Sequence, residues 1–169
     1  MLRPILKYGD QILHDRAVAV EAITTEIDRI VGDMIDTMYA APGIGLAAPQ
    51  IGVPLRIVVV DTSVGRDPSD LLVFINPELV ERDGTQLEEE GCLSVPGFEA
   101  TVVRPARVVL RGLDRDGTTI QREATGLLAR AFQHEIDHLD GTLFVDRLRG
   151  LKRDLIIRRI KKLTRAHKW

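Results

Sequence analysis

Apolar side chains recur at Ile27, Ile30, Val31, Met34, Ile35 and Met38, the spacing of one face of a helix. Thr24 or Thr25 can cap this helix, and Ala41-Pro42-Gly43 should end it. Arg56 to Asp61, RIVVVD, is an unbroken apolar run between charges and reads as a buried strand. Leu71 to Ile75 reads as a second strand, and Thr101 to Val103 and Val108 to Leu113 as two more. Asp114-Arg115-Asp116-Gly117 has the chemistry of a hairpin turn leading into a strand from Thr118 to Arg122. A helix is then expected from Thr125 to about Leu139, with Leu127, Leu128, Ala131, Phe132 and Leu139 buried and Gly141 stopping it. Leu143-Phe144-Val145 reads as a short strand, and a last helix runs from about Gly150 to the end. The expected class is α+β: mostly antiparallel strands around a central helix, with one helix near the N-terminus and one at the C-terminus.

Length and composition fit a globular protein with one core. The 169 residues carry no internal repeat, and no Pro/Gly/Ser linker divides them, so a single domain over 1–169 is expected. Aromatic residues make up 4%, which leaves Val, Ile, Leu and Ala to fill the core. The lone cysteine, Cys92, has no intramolecular disulfide partner, and MLRPILKYGD lacks an apolar signal core. These features, with no apolar run near membrane-spanning length, make the cytoplasm the expected location.

The net charge of −2 gives no reason to expect DNA or a membrane as partner, but it conceals an asymmetry. From Arg147 to Trp169 there are ten Lys or Arg and one acid, Asp154. Residues 148–169 therefore read as a basic C-terminal helix on an acidic body. On it Leu148, Leu155, Ile156, Ile160 and Leu163 fall on one side, and Arg158, Lys161, Lys162 and Arg165 on the other.

The sharpest chemical signal is His134-Glu135-Ile136-Asp137-His138. Two histidines four apart lie one turn from each other on one helix face, so both imidazoles can reach a single ion. Glu135 is rotated about 100° around the axis, placed to meet a water on that ion without ligating it. Catalytic sites of this type usually have a third protein ligand and an open fourth position. A metzincin would place a further histidine where Phe144 stands, so that pattern fails. His14 and His167 lie near the termini. Cys92 remains, in Glu90-Gly91-Cys92-Leu93-Ser94, where polar neighbours make a poor core segment for a small apolar residue.

Three segments, Gly43-Ile44-Gly45-Leu46-Ala47-Ala48-Pro49-Gln50, Glu90-Gly91-Cys92-Leu93-Ser94 and Gln133-His134-Glu135-Ile136-Asp137-His138, together resemble the signature motifs of peptide deformylases in order and spacing. The resemblance extends from Pro4-Ile5-Leu6 to the C-terminal helix. It implies a bacterial-type metallohydrolase that removes the N-formyl group from the N-terminal methionine of new polypeptides and releases formate. It implies one divalent ion on Cys92, His134 and His138: Fe²⁺ in the cell, with Zn²⁺, Ni²⁺ or Co²⁺ able to substitute. Glu135 would move the water proton, while the Gln50 side-chain amide and the Leu93 backbone N–H would stabilise the charge on the formyl oxygen. Gly43, Gly45 and Gly91 would let an extended substrate backbone lie close. Ile44, Leu127 and the ring face of His134 would take the methionine side chain, with Arg130 and Ala131 shaping the rim. At Gly97-Phe98-Glu99 the chain departs from members that carry an arginine near the peptide-binding cleft.

The resemblance also implies N-formylmethionyl nascent chains as partners and a C-terminal helix able to contact the ribosome. Two other readings of the metal motif stay open at this point. One is a zinc endopeptidase that cleaves internal bonds and tolerates loss of Cys92. The other is a binding module whose ion only staples the fold; a structural site of that kind would need a fourth protein ligand.

Overall fold

The computed structural model describes all residues, 1–169. Its helices are α1 (Thr25–Ala40), α2 (Gly126–Leu139) and α3 (Leu151–Arg165). Its strands are β1 (Gly45–Ala47), β2 (Ile57–Val60), β3 (Leu72–Asp83), β4 (Gln86–Gly91), β5 (Glu99–Arg104), β6 (Arg107–Leu113) and β7 (Thr119–Thr125). One sheet has the order β1-β2-β3-β6-β7, a second pairs β4 with β5, and every strand pairing is antiparallel. The chain is α+β, as its pattern predicts.

The apolar run in β2 is explained by what covers it. All four of its residues are buried. Ile57 and Val59 pack with Ile30, Met34 and Met38 of α1. Val58 and Val60 point the other way, toward Phe132, Ile136 and Leu139 of α2. The sheet is thus held between two helices, and Phe74 meets Phe132 edge-on with ring centroids 5.5 Å apart. A third cluster joins Ala100 and Val102 of β5 to Leu143, Phe144, Val145 and to Ile156 and Ile160 of α3.

The expected ends of α1 and α2 agree with the structure. Thr24 Oγ1 accepts a hydrogen bond from the Ile27 N–H at 3.2 Å and caps α1. Behind α2, the Arg56 guanidinium donates to the Leu139 carbonyl at 2.9 Å. Gly141 then turns with φ +77°, and a Cβ there would lie 2.7 Å from the His14 carbonyl oxygen, so glycine is required. The Asp114–Gly117 turn is also present: Asp114 Oδ1 accepts from the amides of Asp116 and Thr118, both at 2.9 Å.

Several expectations are corrected. Leu143-Phe144-Val145 is not a strand; the chain makes a 3-10 turn over Phe144–Arg147 with Phe144 and Val145 buried, tied by the Leu143 N–H donating to Asp146 Oδ2 at 2.8 Å. A short buried apolar run carries no periodicity to separate the two. β3 continues past Ile75 to Asp83 through a bulge at Asn76-Pro77, which hides it from a periodicity reading. β1 and β4 were not anticipated: β1 is three residues long, and in β4 the one buried residue is Glu90. The C-terminal helix spans Leu151–Arg165 rather than 148–169. On it Leu155 is exposed, leaving Ile156 and Ile160 as the buried anchors. Leu127 is 54% exposed at the start of α2.

Candidate metal centre and active site

α2 carries His134 and His138 one turn apart, with ring centroids separated by 5.0 Å. β4 delivers the third group: Cys92 follows it directly, and Cys92 Sγ lies 3.3 Å from His138 Nε2. One ligand atom from each of Cys92, His134 and His138 falls within 4.8 Å of the others. A thiol and two imidazoles form a donor set suited to Fe²⁺ or Zn²⁺, and three ligands leave one position open. His134 is oriented for this role, because its Nδ1 pairs with Glu90 Oε2 at 3.0 Å and its other nitrogen is free for the cluster. The residues present therefore fit a single metal ion.

Glu135 stands beside the cluster, 5% exposed, and its Oε2 has no hydrogen-bond partner. Burial pushes its carboxyl up to about 7, the range useful for proton transfer near neutral pH. Gly45 makes room for it: a Cβ on Gly45 would sit 2.6 Å from Glu135 Oε1.

Gln50, in the 3-10 turn Ala48–Ile51, is held at both ends. Its Oε1 accepts from the Ala47 N–H at 2.9 Å, which fixes the amide orientation. Its Nε2 donates to Ser94 Oγ at 3.1 Å and reaches Cys92 Sγ at 3.7 Å. The next two amides after Leu93 are used: Ser94 N–H donates to Cys92 Sγ at 3.4 Å and Val95 N–H to the Cys92 carbonyl at 2.9 Å. The Leu93 N–H makes no hydrogen bond within the protein.

A cavity of about 620 Å³ opens onto this centre. Gly43, Ile44, Gly45, Gln50, Gly91, Cys92, Leu93, Leu127, Arg130, Ala131, His134 and Glu135 all line it, and His138, fully buried, completes the cluster from behind, so the structure brings together every site residue anticipated. Two walls are strand edges. β1 ends its sheet and β4 belongs to a two-stranded sheet, so each has one side without a strand partner. Val95 and Phe98 also line the cavity and were not anticipated.

The chain is similar to known proteins over nearly its whole length. The polypeptide deformylase family model matches residues 2–154. The chain belongs to this family. A peptide deformylase of Acidobacterium capsulatum is 50% identical over 169 residues, covering 100% of this chain and 99% of that one. One from Thermodesulfovibrio yellowstonii is 51% identical over 157 residues, 93% and 95% of the two chains. The crystal structure of a Legionella pneumophila peptide deformylase superimposes with TM-score 0.92 at 45% identity, covering 99% of this chain and 98% of that one. A Synechococcus elongatus peptide deformylase in complex with actinonin gives TM-score 0.87 at 38% identity, covering 94% and 85%. The chain is thus a metallohydrolase of the peptide deformylase family, with relatives in bacteria.

One part of this deformylase site was not foreseen: the charged cage behind His134. Glu90 receives Arg104 through both carboxylate oxygens, Nη2 to Oε2 at 2.9 Å, and Arg130 Nη1 at 2.9 Å. Arg104 Nη1 also donates to Asp137 Oδ2 at 2.9 Å, and Arg147 Nη2 to Asp137 Oδ1 at 2.6 Å. Burial alone would raise the Glu90 carboxyl; hydrogen bonds from Arg104 and His134 more than offset it and hold it at about 2. Arg130, 3% exposed, is therefore a buried tie between α2 and β4 rather than only a rim residue. The available signal was Asp137, a carboxylate three residues after His134 and between the apolar positions Ile136 and Leu139 of the same helix.

No helix is long and apolar enough to cross a membrane.

Proposed function

We propose that residues 1–169, acting as one domain, hydrolyse the formamide at the N-terminus of N-formylmethionyl peptides and release formate. One observation carries this reading: the unpartnered Glu135 carboxylate oxygen lies beside Cys92, His134 and His138 in a cavity walled by two free strand edges.

Cys92, His134 and His138 would hold one divalent ion. We assign it as Fe²⁺ in the cell, with Zn²⁺, Ni²⁺ or Co²⁺ able to take the same donors. When bound, such an ion supplies Lewis acidity, polarising the carbonyl and lowering the pKa of water toward about 7.

The protein supplies the remaining parts. The backbone edges at Gly43–Gly45 and Gly91 hold the substrate extended by main-chain pairing. Ile44, Leu127 and the ring face of His134 receive the methionine side chain, with Ala131 beside them. A formyl carbon bears only hydrogen, so a crowded centre admits it and rejects larger acyl groups. Glu135 takes the proton from the attacking water as its oxygen bonds to the formyl carbon. As charge builds on the formyl oxygen, the Gln50 Nε2–H and the Leu93 N–H donate to it, the latter having no competing partner. The C–N bond then breaks, Glu135 returns the proton to the departing amine nitrogen, and formate leaves.

The test is formate release from formyl-Met-Ala-Ser by metal-loaded protein prepared without oxygen, beside the unformylated peptide and metal analysis. Formate release with Met-Ala-Ser left intact is expected. Cleavage of an internal bond without formate would instead support an endopeptidase.

The same reading places the enzyme in the bacterial cytoplasm, where new chains emerge, and assigns the outer face of α3 to the ribosome. Lys152, Arg158, Arg159, Lys161, Lys162 and Arg165 are exposed there, and none is in an ion pair. Cations on RNA displace condensed counterions, so binding should weaken steeply with salt. Replacing Arg158, Lys161 and Lys162 by glutamate should abolish ribosome co-sedimentation. Unchanged binding and salt dependence would remove this assignment.

A further inference from the structure

The cavity mouth carries two carboxylates that the mechanism does not use, Glu89 and Glu99. Both line the cavity, both are exposed, and neither forms an ion pair. Their neighbour Glu90 is neutralised by Arg104 and Arg130.

The hairpin register sets them side by side. Gly91 pairs with Glu99 and Glu89 with Thr101, so Glu89, Gly91 and Glu99 share one face. Glu89 and Glu99 are then diagonal neighbours, about 7–8 Å apart at the backbone. Gly91 places no side chain between them, and the Glu99 side chain lies over it: the Cβ position of Gly91 is 3.4 Å from Glu99 Cγ and 4.0 Å from Oε1. No cation answers them. Arg130 is the one Lys or Arg in the lining, and its guanidinium is spent on Gln86 Oε1, Glu90 Oε1 and the Val102 carbonyl. Independently, the cavity is built for a ligand: Glu135, 5% exposed, lines it with its Oε2 unpartnered.

We infer that Glu89 and Glu99 select substrates with lysine or arginine in the two positions after the formylmethionine. The inference rests on the deformylase reading, because a backbone held along the free edge of β4 beside Gly91 carries those side chains past the two carboxylates. Attraction of this kind favours the substrate before and during reaction alike, so it appears in KM rather than kcat.

The experiment measures formate release by the metal-loaded protein from formyl-Met-Lys-Lys, formyl-Met-Ala-Ala and formyl-Met-Glu-Glu. At low salt, kcat/KM for the lysine peptide should exceed that for the glutamate peptide by about tenfold, through KM. The ratio should shrink in about 0.5 M salt. In Glu89→Gln/Glu99→Gln it should fall toward one, and in Glu89→Lys/Glu99→Lys it should invert. Equal release from all three peptides, or a ratio undiminished in the double variant, overturns the charge selection and leaves the deformylase reading standing. No formate from any peptide overturns both.

Discussion

Glu90 Oε2 lies 3.0 Å from His134 Nδ1, and the same carboxylate is clamped by Arg104 and Arg130. His134 is therefore oriented from behind by a charged cage that ties α2 to the β4–β5 hairpin. Losing the partner of a ligating histidine typically costs about 10–100-fold in metal affinity. Glu90→Ala would also leave buried Arg130 without a carboxylate partner and Arg104 with Asp137 alone, a loss of about 3–5 kcal/mol. The expected outcome is weak metal retention on dialysis against chelator and a much lower denaturation midpoint, with Glu90→Asp intermediate in both. Wild-type metal affinity in Glu90→Ala would refute the orienting role.

The same carboxylate sets an acid limit on stability. Its pKa lies at about 2 in the folded chain against an ordinary 4.5. A lowered folded-state value contributes stability that is full above about 4.5 and lost as pH falls toward about 2. The contribution is about 3 kcal/mol. Urea midpoints measured from pH 6 down to pH 2.5 should decline across that window. Glu90→Gln should decline less steeply there, and an equally steep decline would assign the acid sensitivity elsewhere.

Much of this fold follows from local pattern. The RIVVVD run predicted a strand covered on both faces, and α1 and α2 cover it. The grouping of His134, Glu135 and His138 was legible because helical periodicity alone places them relative to each other, whereas Cys92 entered as the remaining soft donor and through the resemblance. The cage was not. Three consecutive glutamates, Glu88, Glu89 and Glu90, look alike in sequence, and only the pairing of β4 with β5 decides that Glu90 alone turns inward. β4 itself was hidden for the same reason: its buried residue is charged, so no apolar alternation marks it. The Leu143–Val145 error has the opposite cause, since a run buried on all sides gives no period to read.

Gly45 tests how tightly Glu135 is placed. An alanine methyl would arrive 2.6 Å from Glu135 Oε1 and force that carboxylate to move. Displacement by about 1 Å commonly costs on the order of 100-fold in rate. Gly45→Ala should keep its metal and lose about that much kcat. Wild-type kcat in this variant would show that Glu135 tolerates displacement.

Gln50 is fixed by the Ala47 amide at one end and by Ser94 at the other. Gln50→Leu should reduce kcat by about 10²–10³ if its amide serves the developing oxyanion. KM should change far less, because the interaction strengthens as charge develops. A rise in KM at unchanged kcat would make Gln50 a binding residue only.

The most direct measurement is formate release from formyl-Met-Ala-Ser by Glu135→Ala, alongside its metal content. Glu135 is no ligand in the cluster of Cys92, His134 and His138, so the variant should bind one equivalent of metal as the wild type does. Its formate release should fall to background. Formate release at the wild-type rate with the metal in place would contradict Glu135 as the group that moves the proton.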